Sequence, residues 1–196
     1  MIVIIDCEQN TPEWFAARLG LATASQFSAV MAKGQGKTRR TYMLKLLGEW
    51  LTGELTEGFT TAAMERGHEM EEAARNAYAF ESGNTPELVG FVVLDGKCGA
   101  SPDAMIGDDG ILEIKTKAPH LQLDVILKDK VPAEHVAQIQ GQLWVTNRKW
   151  CDFVSYWPGL PLFVKRVYRD AEKILEIEEA VKLFNAELDE LQTKFV

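Results

Sequence analysis

Asp103, Glu113 and Lys115 are the residues whose types and spacing best suit chemistry. In Ile111-Leu112-Glu113-Ile114-Lys115, strand alternation places Glu113 and Lys115 on one face and Leu112 and Ile114 on the other. Asp103 precedes Glu113 by ten residues, across the turn sequence Gly107-Asp108-Asp109-Gly110. A three-residue loop there sets Asp103 opposite Glu113 in a hairpin. Two facing carboxylates repel unless positive charge sits between them. A hard divalent cation with oxygen ligands resolves the repulsion, and Lys115 beside it is placed to orient or activate a water. The competing reading is a surface hairpin with scattered charges.

A third carboxylate, Glu71, belongs to the same question. On a helical wheel Gly67, Met70, Glu71, Ala74 and Tyr78 share one face, so Glu71 lies in an apolar stripe, while Glu65, Glu69 and Glu72 point elsewhere. A buried, unpaired carboxylate costs roughly several kcal/mol and needs a cation or hydrogen-bond donors. Arg75, four residues on, offers an ordinary salt bridge as the alternative.

The elements that must position these groups are legible in outline. Thr11-Pro12-Glu13-Trp14 reads as a helix start that Gly20 closes, and Thr23-Ala24-Ser25-Gln26 has capping-box spacing, predicting a second helix to about Met31. A basic, glycine-punctuated loop over 33–40 leads into a helix carrying Tyr42, Leu46, Leu47 and Trp50, ended by Gly53; a longer helix runs from about Thr61 to Glu81. Strand patterns follow over 88–94, 98–106, 111–116, 151–157 and 163–168, interrupted by a helical stretch from about Pro132 to Trp144. A long helix over 171–195 closes the chain. One α/β domain around a mixed sheet is expected, with a helical part at 11–81, a sheet region at 88–168 and the final helix.

The full string Ser101-Pro102-Asp103 with Glu113-Ile114-Lys115 resembles the P-D…(D/E)-x-K signature of the restriction-endonuclease-like nucleases. The likeness extends to one branch, the phage lambda exonuclease family of recombination nucleases. Trp14-x-x-x-Arg18-Leu19-Gly20 and Thr23-Ala24-Ser25 are similar to its N-terminal motif, Gly67-x-x-x-Glu71-x-x-Ala74-Arg75 to its metal-site helix, and Gln138-Ile139-Gln140 through Trp144-Val145-Thr146 to its following helix. Ala104 departs from the Gly that commonly follows the Asp. The resemblance implies a restriction-endonuclease-like core with a central mixed β-sheet flanked by helices. It also implies Mg²⁺, with Mn²⁺ as a substitute, held by Asp103, Glu113 and the carbonyl of Ile114, and a second metal or its water held by Glu71. Lys115 would orient the attacking water, and Arg18, Ser25, Ser101 and Gln138 would contact phosphates, including the 5′-terminal one. The implied activity is 5′→3′ digestion of double-stranded DNA ends to leave a 3′ tail, by a ring-shaped homotrimer working with a single-strand annealing protein. The alternatives are an endonuclease of the same fold and a non-catalytic DNA-binding or assembly module.

Composition bears on these expectations. Lys and Arg number 21 against 29 Asp and Glu, a net charge of −8 that at face value argues against polyanion binding. From Asp170 onward, however, eight acids and three lysines give −5, so the first 169 residues carry −3. The acidity belongs mostly to the last helix, the surface DNA should avoid. A composition of 46% hydrophobic and 26% charged residues excludes disorder and fibrous repeats. No apolar run suits a bilayer, no signal peptide is visible, and Cys7, Cys98 and Cys151 fit neither a disulfide framework nor a metal knuckle. A soluble protein in the cytoplasm of a bacterial or phage-infected cell is expected, with no membrane partner. Lys33, Lys37, Arg39 and Arg40 are candidates for sequence-independent contacts to DNA backbone. Gly36-Lys37-Thr38 lacks the first glycine of a phosphate-binding loop, and His68-Glu69 is followed by Glu72 where a zinc-protease motif needs His. In the final helix Ile174, Ile177, Val181, Phe184, Leu188, Leu191 and Phe195 form a seam suited either to this chain's own sheet or to a partner.

Overall fold

The computed structural model describes residues 1–32, 37–55 and 62–195, with the side-chain surroundings of 62–68 excepted. The strands among them are β1 (Ile2–Ile5), β2 (Ala22–Thr23), β3 (Pro86–Glu87), β4 (Phe91–Leu94), β5 (Cys98–Ala100), β6 (Ala104–Ile106), β7 (Gly110–Thr116), β8 (Trp150–Tyr156) and β9 (Phe163–Tyr168). The helices are α1 (Pro12–Arg18), α2 (Phe27–Val30), α3 (Lys37–Thr52), α4 (Ala62–Ser82), α5 (Pro119–Lys128), α6 (Ala133–Thr146) and α7 (Ala171–Gln192). The expected α/β class with a long last helix is present. The strands form two mixed sheets, ordered β1-β4-β5-β2 and β3-β6-β7-β8-β9.

The larger sheet is built around β7, which pairs antiparallel with β6 and parallel with β8. A parallel neighbour requires a crossover, and α5 and α6 supply it. Alternation along β7 then decides which layer each residue meets. Leu112 and Ile114 pack with Ala74 and Tyr78 of α4, whereas Ile111 joins the main core of α2, α3, α6 and α7. Glu113 shares the face of Ile111 and so is carried under α6.

One local reading changes, one helix is added, and one open choice is decided. Thr23 caps no helix: parallel pairing with β5 holds it extended, and its hydroxyl lies 3.3 Å from that of Ser25. A 3₁₀ turn, Ala24–Gln26, and the short α2 follow in place of the continuous helix. The helix α5 has no cap signal, starting at Ala118-Pro119 without a side-chain cap, and is held from within by Gln122, which donates to the carbonyls of Ser155 and Pro161. Finally, the seam of α7 is spent inside the chain, with Ile174, Ile177, Val181, Phe184 and Leu188 buried and Phe195 exposed.

Close approach of α6 to the N-terminal layer depends on Gly141. A Cβ there would sit 2.3 Å from the ring of Phe27, which is fully buried. Gly141→Ala is therefore expected to cost about 1–3 kcal/mol by overpacking, lowering the melting temperature by roughly 2–12 °C in a scanning calorimeter.

Candidate active site

The β6–β7 hairpin closes with the expected three-residue loop. Ile106 pairs with Gly110 and Ala104 with Leu112, a register that carries Asp103 to the level of Glu113. Here the ladder changes character. Asp103 N–H donates to the Leu112 carbonyl at 3.0 Å, but the next strand donor, Ile114 N–H, goes to the Asp103 carboxylate instead of a carbonyl. The side chain of Asp103 is thereby fixed where β6 ends.

Glu113 is 1% exposed, and all its solvation comes from protein. Gln138 Nε2 donates to its Oε1 at 2.6 Å, Gln142 Nε2 to its Oε2 at 2.6 Å, and the Lys115 ammonium lies 2.6 Å from Oε1. Burial, then the nearby Glu113 charge, pushes the Asp103 carboxyl well above the usual carboxylate range, although Lys115 opposes the shift. Burial works against the Lys115 charge, but Glu113 and Asp103 outweigh it and hold the ammonium above its ordinary pKa. Lys115 is thus a cation in this site and not a free base.

Glu71 approaches from the other face of the sheet. It is half-buried and takes Arg75 Nη1 at 3.3 Å, the i, i+4 pair anticipated above, and its charge is felt by both Asp103 and Lys115. The helix that carries it is pinned below by a buried network. Tyr78 donates to Asp152 at 2.7 Å, and Arg166 grips the same carboxylate through two 2.8 Å bonds. Burial, with Asp152 adding to it, pushes the Tyr78 phenol up to about 12.

Opposite the acids stands a caged guanidinium. Arg18 lies 3.9 Å above the Trp14 ring and 5.3 Å from that of Phe91, and donates to Ser101 Oγ at 3.1 Å. Burial lowers its pKa to about 10, while Tyr42 and Glu49 favour the charge, so it stays ionised at neutral pH. Ser101 Oγ also accepts from Trp14 Nε1 at 2.9 Å. With both lone pairs of the hydroxyl engaged, its O–H remains as a donor.

One cleft of about 260 Å³ is lined by Arg18, Ser25, Glu71, Ser101, Asp103, Glu113, Lys115 and Gln138, residues spread over 120 positions of sequence. A wider cleft of about 450 Å³ adjoins it, sharing Gln9, Asn10, Glu71 and Asp103. Among the described residues no three His, Cys, Asp or Glu side chains form a metal-holding group by themselves. Of the basic loop, Lys33 lies outside the described residues, and Lys37, Arg39 and Arg40 line neither cleft. Arg39 bonds to Glu187 of α7 at 2.6 and 2.9 Å and to the Val30 carbonyl at 3.3 Å, contacts that fasten α3 to α7. Sequence reasoning missed Gln142, although its spacing of four from Gln138 puts both on one helix face. It also missed Gln9, which bridges the Val89 and Pro102 carbonyls at 2.8 and 2.9 Å and holds the strand before Asp103.

Residues 13–149 match the family model of the YqaJ-like viral recombinase domain. Among solved structures, the alkaline exonuclease LHK-Exo from Laribacter hongkongensis is 40% identical, with 94% of this chain and 96% of that one covered at a TM-score of 0.87. LHK-Exo in complex with dAMP is 41% identical over the same shares, with the same TM-score. A phage-related exonuclease from Haemophilus somnus 129PT, 14% identical, covers 90% of this chain and 96% of its own at a TM-score of 0.68, a likeness of fold alone. No curated protein matches the chain.

Burial of the Asp103 carboxylate, together with the nearby Glu113 charge, is expected to cost stability in the metal-free protein. Asp103→Asn removes the repelled charge and keeps an acceptor for Ile114 N–H. It is expected to raise the melting temperature by about 2–4 °C, roughly 1 kcal/mol in a chain of this size. A lower melting temperature in chelator would contradict the electrostatic reading.

Proposed function

Because the chain belongs to the YqaJ-like viral recombinase family, we propose that it is a metal-dependent exonuclease that digests one strand of linear double-stranded DNA in the 5′→3′ direction. The product is a 3′ single-stranded tail for recombination by strand annealing. Likeness to the alkaline exonuclease LHK-Exo along 94% of the chain supports the reaction class, and that protein's complex with dAMP supports a deoxynucleotide as the released group. The observation that carries the reading is the shared cleft, where the carboxylate–lysine cluster and the caged Arg18 with Ser101 face the same 260 Å³. A single shared cleft supports chemistry and end capture acting on the same DNA end.

An all-oxygen donor set, and the repulsion that lifts Asp103, fit a hard divalent cation. Asp103, Glu113 and the Ile114 carbonyl would hold Mg²⁺, with Mn²⁺ as a substitute, and Glu71 a second ion or its water. When bound, such an ion supplies Lewis-acid charge and lowers the pKa of a coordinated water. The chain's own residues do the rest. Lys115, held protonated, orients the attacking water and opposes the negative charge that develops on the phosphate oxygens. Arg18 offers two parallel N–H donors to the 5′-phosphate, pre-aimed by the Trp14 ring. The Ser101 O–H, the Ser25 hydroxyl and the second amide hydrogen of Gln138 complete the phosphate cradle. The same resemblance supplies the remaining parts of the proposal: the whole chain as a single nuclease domain, a ring-shaped homotrimer threading DNA, a single-strand annealing protein as partner, and action in the cytoplasm of a bacterial or phage-infected cell. No described helix is long and apolar enough to cross a membrane.

Two variants test the site. Glu113→Ala is expected to abolish Mg²⁺-dependent digestion while DNA-end binding is retained; undiminished digestion would contradict the assignment. Arg18→Ala removes charged hydrogen bonds worth roughly 1.5–3 kcal/mol, so kcat/KM on 5′-phosphorylated ends is expected to fall about 10–100-fold. The loss should be much smaller on 5′-hydroxyl ends. An unchanged preference for the phosphate would refute its role in end capture.

A further inference from the structure

Gln142 stands against Glu113 yet belongs to none of the residues with a proposed role. It is 1% exposed and lines the floor of the cleft beside Glu113, Lys115 and Gln138. Its Nε2 donates to Glu113 Oε2 at 2.6 Å, and its own Oε1 is buried without a partner among the described residues. A stranded carbonyl is a cost that packing does not require, since Met would fill nearly the same volume without it. The amide is therefore explained by what it donates to.

Glu113 needs such a donor for a specific reason. The terminal torsion of a glutamate is soft and broadly populated, so packing alone does not set the plane of its carboxylate. Gln138 and Lys115 both act on Oε1, and Oε2 has Gln142. We infer that Gln142 is a positioning residue that fixes the rotation of the Glu113 carboxylate, and with it the lone pair offered to the metal. The inference rests on the proposed metal site. Its test is therefore chosen to separate the two.

The probe is Mn²⁺, titrated into the full chain and followed by electron paramagnetic resonance, alongside melting curves recorded in chelator. Gln142→Met is expected to weaken Mn²⁺ binding about 10–100-fold, as loss of an outer hydrogen bond to a ligand does, and to raise the Mg²⁺ needed for half-maximal digestion by a similar factor. Melting temperature in chelator should fall by only about 2–8 °C, because loss of the stranded carbonyl offsets part of the bond taken from Glu113, so the variant stays folded through the titration. Should Gln142→Met fail to fold, Gln142→Asn is measured instead; it keeps an amide but falls one methylene short of Glu113. If the unaltered chain binds no Mn²⁺, or Glu113→Ala binds it equally well, the metal site itself is refuted. If only Glu113→Ala loses binding and the Gln142 variant does not, the site stands and the positioning role falls.

Discussion

A carboxylate buried to 1% exposure needs protein groups to replace the water it has lost, and the structure is arranged around supplying them to Glu113. Two amides and an ammonium surround it at 2.6 Å. Each comes from a place the fold must supply: Lys115 from the same strand face, and Gln138 and Gln142 from successive turns of α6. That helix reaches β7 because the β7–β8 parallel pairing forces a crossover, and it lies close to the N-terminal layer because Gly141 has no side chain to collide with Phe27. Strand order, crossover and glycine thus serve one buried charge.

The same strand separates two electrostatic tasks. Its outer neighbour Asp103 is left crowded and poorly solvated, a state that invites a cation. Across the cleft, Arg18 is equally confined but positive, and its aromatic cage restricts it to one direction. Acids and guanidinium thus line one space of about 260 Å³, the arrangement on which the proposed function rests. The net charge of −8 does not oppose this. Glu172, Glu176, Glu179, Asp189 and Glu190 lie on the exposed side of α7, whose apolar side is buried in the core.

Features set by neighbours in sequence were legible from it. The three-residue turn at Gly107–Asp109 fixed the register of Asp103 against Glu113, and strand alternation placed Glu113 and Lys115 together. The stripe on α4 located Glu71 through Ala74 and Tyr78, both buried as expected. Long-range pairing was not visible in this way. Thr23 looked like a helix cap until a strand 76 residues away, at Gly99, claimed its backbone. The pairing of Arg39 with Glu187, 148 positions on, likewise gives no local sign. Gln142 drew no notice in the sequence because only the burial of Glu113 shows what its amide serves.

Strand polarity on linear duplex tests the central claim most directly. DNA labelled separately at each 5′ and 3′ end is digested with Mg²⁺, beside a covalently closed circle. The expected result is early release of the 5′ label as a mononucleotide, with the 3′ label retained on a growing single strand and the circle intact. Release of the 3′ label first, or nicking of the circle, would contradict a cleft built to capture a 5′-phosphate.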